Sequence, residues 1–234
     1  MSNKEKQGSF IMQAGILAAA GIICKIIGIL YRSPLAHVIG DEGNGYYSSA
    51  YEIYTIILLV SSYSIPSAIS KVIAHRLALG QYRNARKIFH CALLYVVVVG
   101  GTASILTLIF AGVLVGGNSV PVLRTFAPTI FFSGILGVLR GYFQAHGTMV
   151  PTSFSQILEQ ILNAVVSILA AFLLMRMVAG RDDTTLAIYG ASGSAIGTGA
   201  GVLIALLFML FVLALNRRTL AKQERRDRTG ELLE

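Results

Sequence analysis

The sequence predicts an all-α integral membrane protein of about six transmembrane helices. Three observations carry this. Of 234 residues, 55% are apolar and only 13% charged, the mean hydropathy is +0.70, and six mostly apolar stretches reach bilayer length. A helix needs about 20 such residues to cross a hydrocarbon core of roughly 30 Å. The composition is that of a chain whose solvent is lipid, with little left over for a soluble domain.

The spans run approximately 10–30, 47–69, 88–115, 121–139, 152–175 and 186–215. The first follows a polar segment. It reads as a span and not a cleavable signal, because its apolar run crosses a full bilayer and lacks a small-residue cleavage site. Lys25 lies late in it and Arg32 just beyond. Seven residues apart, they share one helical face if the helix continues to Arg32. Glu52 lies early in the second span, where Tyr47, Tyr51 and Tyr54 follow one face; these fit an interfacial aromatic belt or a sugar-stacking surface. Pro66 in the second span and Pro128 in the fourth remove backbone hydrogen bonds and introduce kinks, candidate hinges.

The segment 71–87 reads as a short basic amphipathic helix, with Val72, Ile73, Leu77 and Leu79 between charges, broken at Gly80 and lying at the inner interface. Gly137 and Gly141 end the fourth span, and Glu159 lies within the fifth. In the sixth, Gly193, Gly197 and Gly201 recur every four residues and place small residues along one face for close helix packing. The polar segment 216–234 reads as a linker or interfacial helix.

Lys and Arg set the orientation, since short cytoplasmic loops retain them. With the N-terminus inside, 14 of the 19 fall in inner segments, Arg140 among them, and four in outer segments, Arg32, Arg124, Arg176 and Arg181. Both termini are then cytoplasmic. The net charge of +8 follows from topology facing anionic lipid and gives no reason to expect a nucleic-acid partner.

Charges inside a membrane are the most informative residues, because Arg, Lys or Asp at mid-span costs about 2.5–3.5 kcal/mol on insertion scales. Lys25, Arg32, Glu52 and Glu159 are therefore the candidates for a substrate cavity. The structural alternative has Lys25 and Arg32 snorkelling to the interface, Glu52 pairing with one of them and Glu159 bonding a neighbouring helix. Signs of catalysis are missing. Asp182 and Asp183 form the only acidic pair, there is no nucleotide-binding glycine loop, and no nucleophile has a plausible base. Cys24, Cys91 and the four scattered histidines suggest neither a disulfide nor a metal site, and no cofactor is implied.

Three segments carry a resemblance: Gly-Ile-Leu-Tyr-Arg at 28–32, Ile-Pro-Ser-Ala-Ile-Ser-Lys at 65–71, and the block from Leu139-Arg140-Gly141-Tyr142-Phe143-Gln144 through Met149-Val150-Pro151-Thr152 to Glu159-Gln160. They closely resemble the multidrug/oligosaccharidyl-lipid/polysaccharide (MOP) flippase superfamily. The nearest branch is that of stage V sporulation protein B and polysaccharide biosynthesis proteins, related to MurJ-type lipid II flippases. Ala145 and Asn163 depart from it, standing where that branch has a glycine and a basic residue.

The resemblance implies one lobe of a MOP/MATE-like transporter in the bacterial cytoplasmic membrane. It would move an undecaprenyl-pyrophosphate-linked oligosaccharide or peptidoglycan precursor from the inner to the outer leaflet by alternating access. Arg32, and with it Lys25, would meet the pyrophosphate. Members have two six-helix lobes, so a second lobe or another copy of the chain would complete the cavity, and the C-terminal segment would correspond to the inter-lobe linker. Two alternatives stay open: a cation-coupled multidrug exporter of the same superfamily, which would depend on an acidic cavity, and a non-transporting membrane protein that packs through its glycine faces.

Overall fold

The computed structural model of the chain describes residues 3–224 and Asp227, and every regular element among them is a helix. Helix α1 spans Asn3–Leu58, a single-turn π segment follows at Leu59–Tyr63, and α2 spans Ile65–Ala78. Then come α3 (Tyr82–Leu114), a short 3₁₀ turn (Gly117–Ser119), α4 (Val120–Ala145), α5 (Val150–Met177) and α6 (Asp183–Glu224).

Five helical stretches among the described residues are long and apolar enough to cross a membrane. The first, Ile11–Ala78, is 68 residues long, far more than one crossing uses. It divides at Gly40, whose φ of 70° and ψ of 176° leave the helical region and suit a residue without a Cβ. The chain doubles back there. Tyr31 and Tyr51 line one cavity, whereas a straight helix would hold them about 30 Å apart. The two arms of α1, 3–39 and 41–58, bring the crossings to six.

Helix α4 is the central helix. One cluster joins it to α2, α3 and α6 through Ile73, Phe89, Leu139, Tyr142 and Met209. A second joins it to the second arm of α1 and to α6 through Tyr47, Tyr54, Phe126, Ile130 and Ala195. Helix α3 carries the complementary pattern: Leu94, Val98, Ile105, Ile109 and Val113 are all exposed along one side. Such a stripe would be an aggregation liability in water and is the ordinary surface of a helix in lipid.

The bundle has two chemically distinct ends. At the Gly40 end, Tyr46 donates to Glu42, Asn118 to Tyr46 (2.8 Å) and Thr184 to Glu42 (3.3 Å). At the opposite end, Gln13 accepts from the Met149 amide (2.9 Å). Arg86 and Arg217 share a groove there, and Leu77, Tyr82, His146 and Gln223 surround a smaller one. The early part of α1 and the end of α6 thus lie together at this basic end.

Four boundaries differ from the sequence reading. The presumed loop 31–46 is helical on both sides of Gly40, so the first arm runs well past residue 30 and contains Pro34. Helix α4 continues to Ala145, which places Arg140 inside a helix and not in a loop. The segment 71–87 is divided: α2 stops at Ala78, Gly80 takes a φ of +76°, and 82–87 open α3. Ile73 is fully buried. Helix α6 runs unbroken to Glu224, because 217–224 contain long straight-chain residues and Ala, and no breaker. Positions 225, 226 and 228–234 lie outside the described residues.

Candidate functional site

Helix α5 organises the site. Its polar residues recur at helical spacing: Ser155, Glu159, Asn163 and Ser167 every four, with Gln156 and Gln160 beside them. This puts a polar stripe along an otherwise apolar helix. One shoulder of α5 packs on α6 and the other faces the first arm of α1. Between α1, α4, α5 and α6 lie three adjoining hollows, which form a polar cleft.

At the Gly40 end a hollow of about 510 Å³ is lined by Tyr31, Arg32, Asn44, Tyr47, Tyr51 and Glu52. It continues into one of about 420 Å³, lined by Cys24, Lys25, Gly28, Arg32, Gln160 and Asn163. A third, of about 290 Å³, reaches toward the basic end past Tyr54, Pro66, Arg140, Gln144, Glu159 and Thr198. Tyr51 lines all three.

Lys25 and Arg32 face the same hollow, as their spacing predicts for a continuous helix. With the first arm extending to residue 39, Lys25 stands about 20 Å from either end of the 11–39 stretch. Neither cation has an ion-pair partner among the described residues, and Glu52, exposed in the first hollow, does not pair with them.

Glu159 is held differently. Arg140 donates to it at 2.7 Å through Nη2 and to Ser155 Oγ at 2.9 Å through Nε. The two ion-pair side chains are 15% and 28% exposed, so the pair is largely withdrawn from the cleft opening. Beside it Gln156 Oε1 is buried without a hydrogen bond.

Asn163 is the pivot of the cleft floor. Its Oδ1 accepts from Ser167 (2.9 Å) and Thr198 (3.3 Å), and its Nδ2 donates to the Tyr31 hydroxyl (3.4 Å). One amide therefore ties α1, α5 and α6 together. An amide can accept and donate at once, which a basic side chain cannot.

The glycines of α6 lie elsewhere. A Cβ on Gly193 would come within 2.5 Å of the Ala171 backbone, one on Gly197 would collide with Ser167, and one on Gly201 would sit 2.6 Å from the Glu159 carbonyl. These three residues make the α5–α6 seam and line none of the three hollows. Pro66 opens α2 directly after the π segment, and its carbonyl lies 2.6 Å from where Gly141 would carry a Cβ. Pro128 sits on the exposed side of α4, which continues through it unbroken.

Sequence reasoning missed Arg140, Gln144, Gln156 and Pro34, and counted Arg140 as a loop charge. The available signal was the four-residue spacing of polar groups on α5. It marks a face that must look into something polar, and such a face needs partners on α4.

The chain matches the polysaccharide biosynthesis protein family over residues 11–225. It is 30% identical to stage V sporulation protein B of Bacillus subtilis (strain 168) over 217 residues, covering 91% of this chain and 40% of that protein. Against lipid II flippase MurJ of the same organism the identity is 26% over 221 residues, covering 89% and 40%. Against the uncharacterized membrane protein YabM, also of that organism, it is 29% over 211 residues, covering 88% and 36%. The chain thus spans about two fifths of the length of these relatives. No solved structure matches it. A helical membrane lobe with a polar cleft and this match over nearly the whole chain agree: the protein belongs to the polysaccharide biosynthesis protein family.

Proposed function

We propose that the chain forms one lobe of a flippase. It would move an undecaprenyl-pyrophosphate-linked oligosaccharide or peptidoglycan precursor from the inner to the outer leaflet by alternating access, in a bacterial cytoplasmic membrane with the basic end inside. The observation that carries this is Lys25 and Arg32, two exposed cations without ion-pair partners among the described residues, on one wall of a polar cleft flanked by apolar helices. Within a membrane an unpaired cation on such a helix is costly. A pyrophosphate offsets the cost and takes charge-assisted hydrogen bonds from both side chains. Glu52 and Asn44 beside Arg32 offer a hydroxylated headgroup polar partners.

The cleft is open along one side, and a second lobe or another copy of the chain would close it. The π segment followed by Pro66 is the proposed hinge, since it already interrupts the second crossing and rests on Gly137 and Gly141. Outward movement of an anion would be favoured by an inside-negative potential, by about 2.3 kcal/mol per charge per 100 mV. The drug-exporter reading is weaker on these contacts, because Glu159 is already engaged by Arg140.

The test uses proteoliposomes carrying the full-length gene product and a fluorescent undecaprenyl-pyrophosphate disaccharide, its transfer followed by a membrane-impermeant quencher. Arg32→Ala and Lys25→Ala should each slow transfer about tenfold or more, the loss of one charge-assisted contact. Equal rates in wild type and both variants would overturn the headgroup assignment.

A further inference from the structure

A second concavity lies on the far side of α4 from the cleft. Arg140 and Gln144 face the cleft, whereas Tyr142, about 200° around the helix from Arg140, belongs to a groove between α3 and α6 at the basic end. This groove has a volume of about 460 Å³ and is lined by Arg86, Phe89, His90, Tyr142, Leu213 and Arg217 among others, with no acidic residue among the described residues of its lining.

Its chemistry is divided by depth. Phe89 and Tyr142, with ring centroids 4.3 Å apart, make an aromatic floor. Leu210, 42% exposed, leads from the groove toward the apolar outer surface, where Leu94 and Leu215 are 66% and 65% exposed. The rim holds Arg86, Arg217 and His90, whose Nδ1–H donates to the Arg86 carbonyl (2.8 Å) and leaves Nε2 as the ring's remaining polar atom. A cationic rim over an apolar trough with exposed leucines beside it matches a molecule with a phosphate at one end and a hydrocarbon chain at the other.

We propose that this groove seats an anionic phospholipid of the adjoining leaflet. Its phosphate would lie between Arg86 and Arg217 beside His90, and an acyl chain would lie along Phe89 and Leu213. Diffuse attraction of basic loops to an acidic membrane needs no groove. The seated lipid differs from it in needing both the cations and the open trough.

The full-length protein is extracted from vesicles of equal phosphatidylglycerol and phosphatidylcholine, and retained lipid is counted by native mass spectrometry. Wild type should keep phosphatidylglycerol preferentially. Arg86→Gln with Arg217→Gln should lower that preference on the order of tenfold, as expected for two basic groups near the surface. The corresponding double Lys variant, which keeps the charge, should retain most of it. Ala214→Trp, which fills the trough without changing the charge, should also abolish retention. Survival of the preference in Ala214→Trp, or in the double Gln variant, would overturn the proposal. So would photo-crosslinking from benzoylphenylalanine at position 214 that captures residues 225–234 or a second copy of the chain instead of lipid.

Discussion

Helix α5 has two faces built for opposite purposes. Toward α6 it is dry and tight: Ala171, Ser167 and the Glu159 carbonyl meet glycines that leave no room for a methyl group. Toward α1 and α4 it is polar and loose, with Gln160 and Asn163 looking into hollows of several hundred cubic ångströms. In lipid there is no hydrophobic drive to bring helices together, so adhesion comes from close backbone approach, and the tight face holds the lobe. That leaves the other face free to carry the polar groups that line the cleft. Different substitutions on the two faces should therefore fail in different ways.

The largest effect belongs to the tight face. Gly197→Leu puts a side chain into the Ser167 backbone and should cost about 3 kcal/mol or more by overpacking. The expected readout is loss of the monodisperse peak in detergent gel filtration. Gly190→Ala on the same helix meets Met175 Sδ and Ile39 side-chain atoms, which can shift, and should leave that peak in place. If both variants behave alike, backbone proximity is not what holds α5 to α6.

Next comes the ion pair that borders the cleft. Arg140→Ala or Glu159→Ala alone strands a largely buried charge and should lower stability by about 2 kcal/mol, below the range for fully buried pairs because both groups retain some exposure. Replacing both with Ala should cost less than the two single changes together, a coupling read from a double-mutant cycle of thermal denaturation. Strict additivity would mean that the 2.7 Å contact does not act as a pair.

On the loose face, Lys25→Ala and Arg32→Ala should leave thermal stability within about 0.5 kcal/mol of wild type or raise it, since each removes an unpaired cation from the bundle. A marked loss of stability, measured by differential scanning fluorimetry, would show that these residues are structural and would blur the contrast between the two faces.

The smallest effect lies outside both. Asp182 accepts from the Thr185 hydroxyl (2.8 Å) and amide (3.0 Å) at the start of α6, and these bonds hold its carboxyl below the ordinary carboxylate range. Because the folded state favours the charged form, its contribution is complete above the unfolded pKa of about 3.9 and is lost as pH falls through the lowered folded value. Asp182→Ala should lower the melting temperature slightly at pH 7, and the difference from wild type should shrink in strong acid.

Much of the lobe was legible because its solvent imposes a simple code. Apolar stretches of fixed length announced the crossings, and the pairing of Lys25 with Arg32 followed from helical spacing alone. Arg140 was not legible. A single Arg near the end of an apolar run reads as the loop that follows, and its partners Glu159 and Ser155 lie 19 and 15 residues away. Gly40 was also passed over, since a glycine among Asp41, Glu42 and Gly43 suggests a longer loop than the one-residue break that occurs.

By itself, then, the sequence determined the class of solvent, the number of crossings and the family, because each rests on local composition, length and short motifs that no packing can alter. The tertiary structure alone decided which polar groups become one site. Residues 32, 52, 140, 163 and 198 lie on four helices, and their proximity depends on how α5 is held between α6 and α1. That placement follows from where glycines let backbones meet, a property of pairs of helices and not of any one of them.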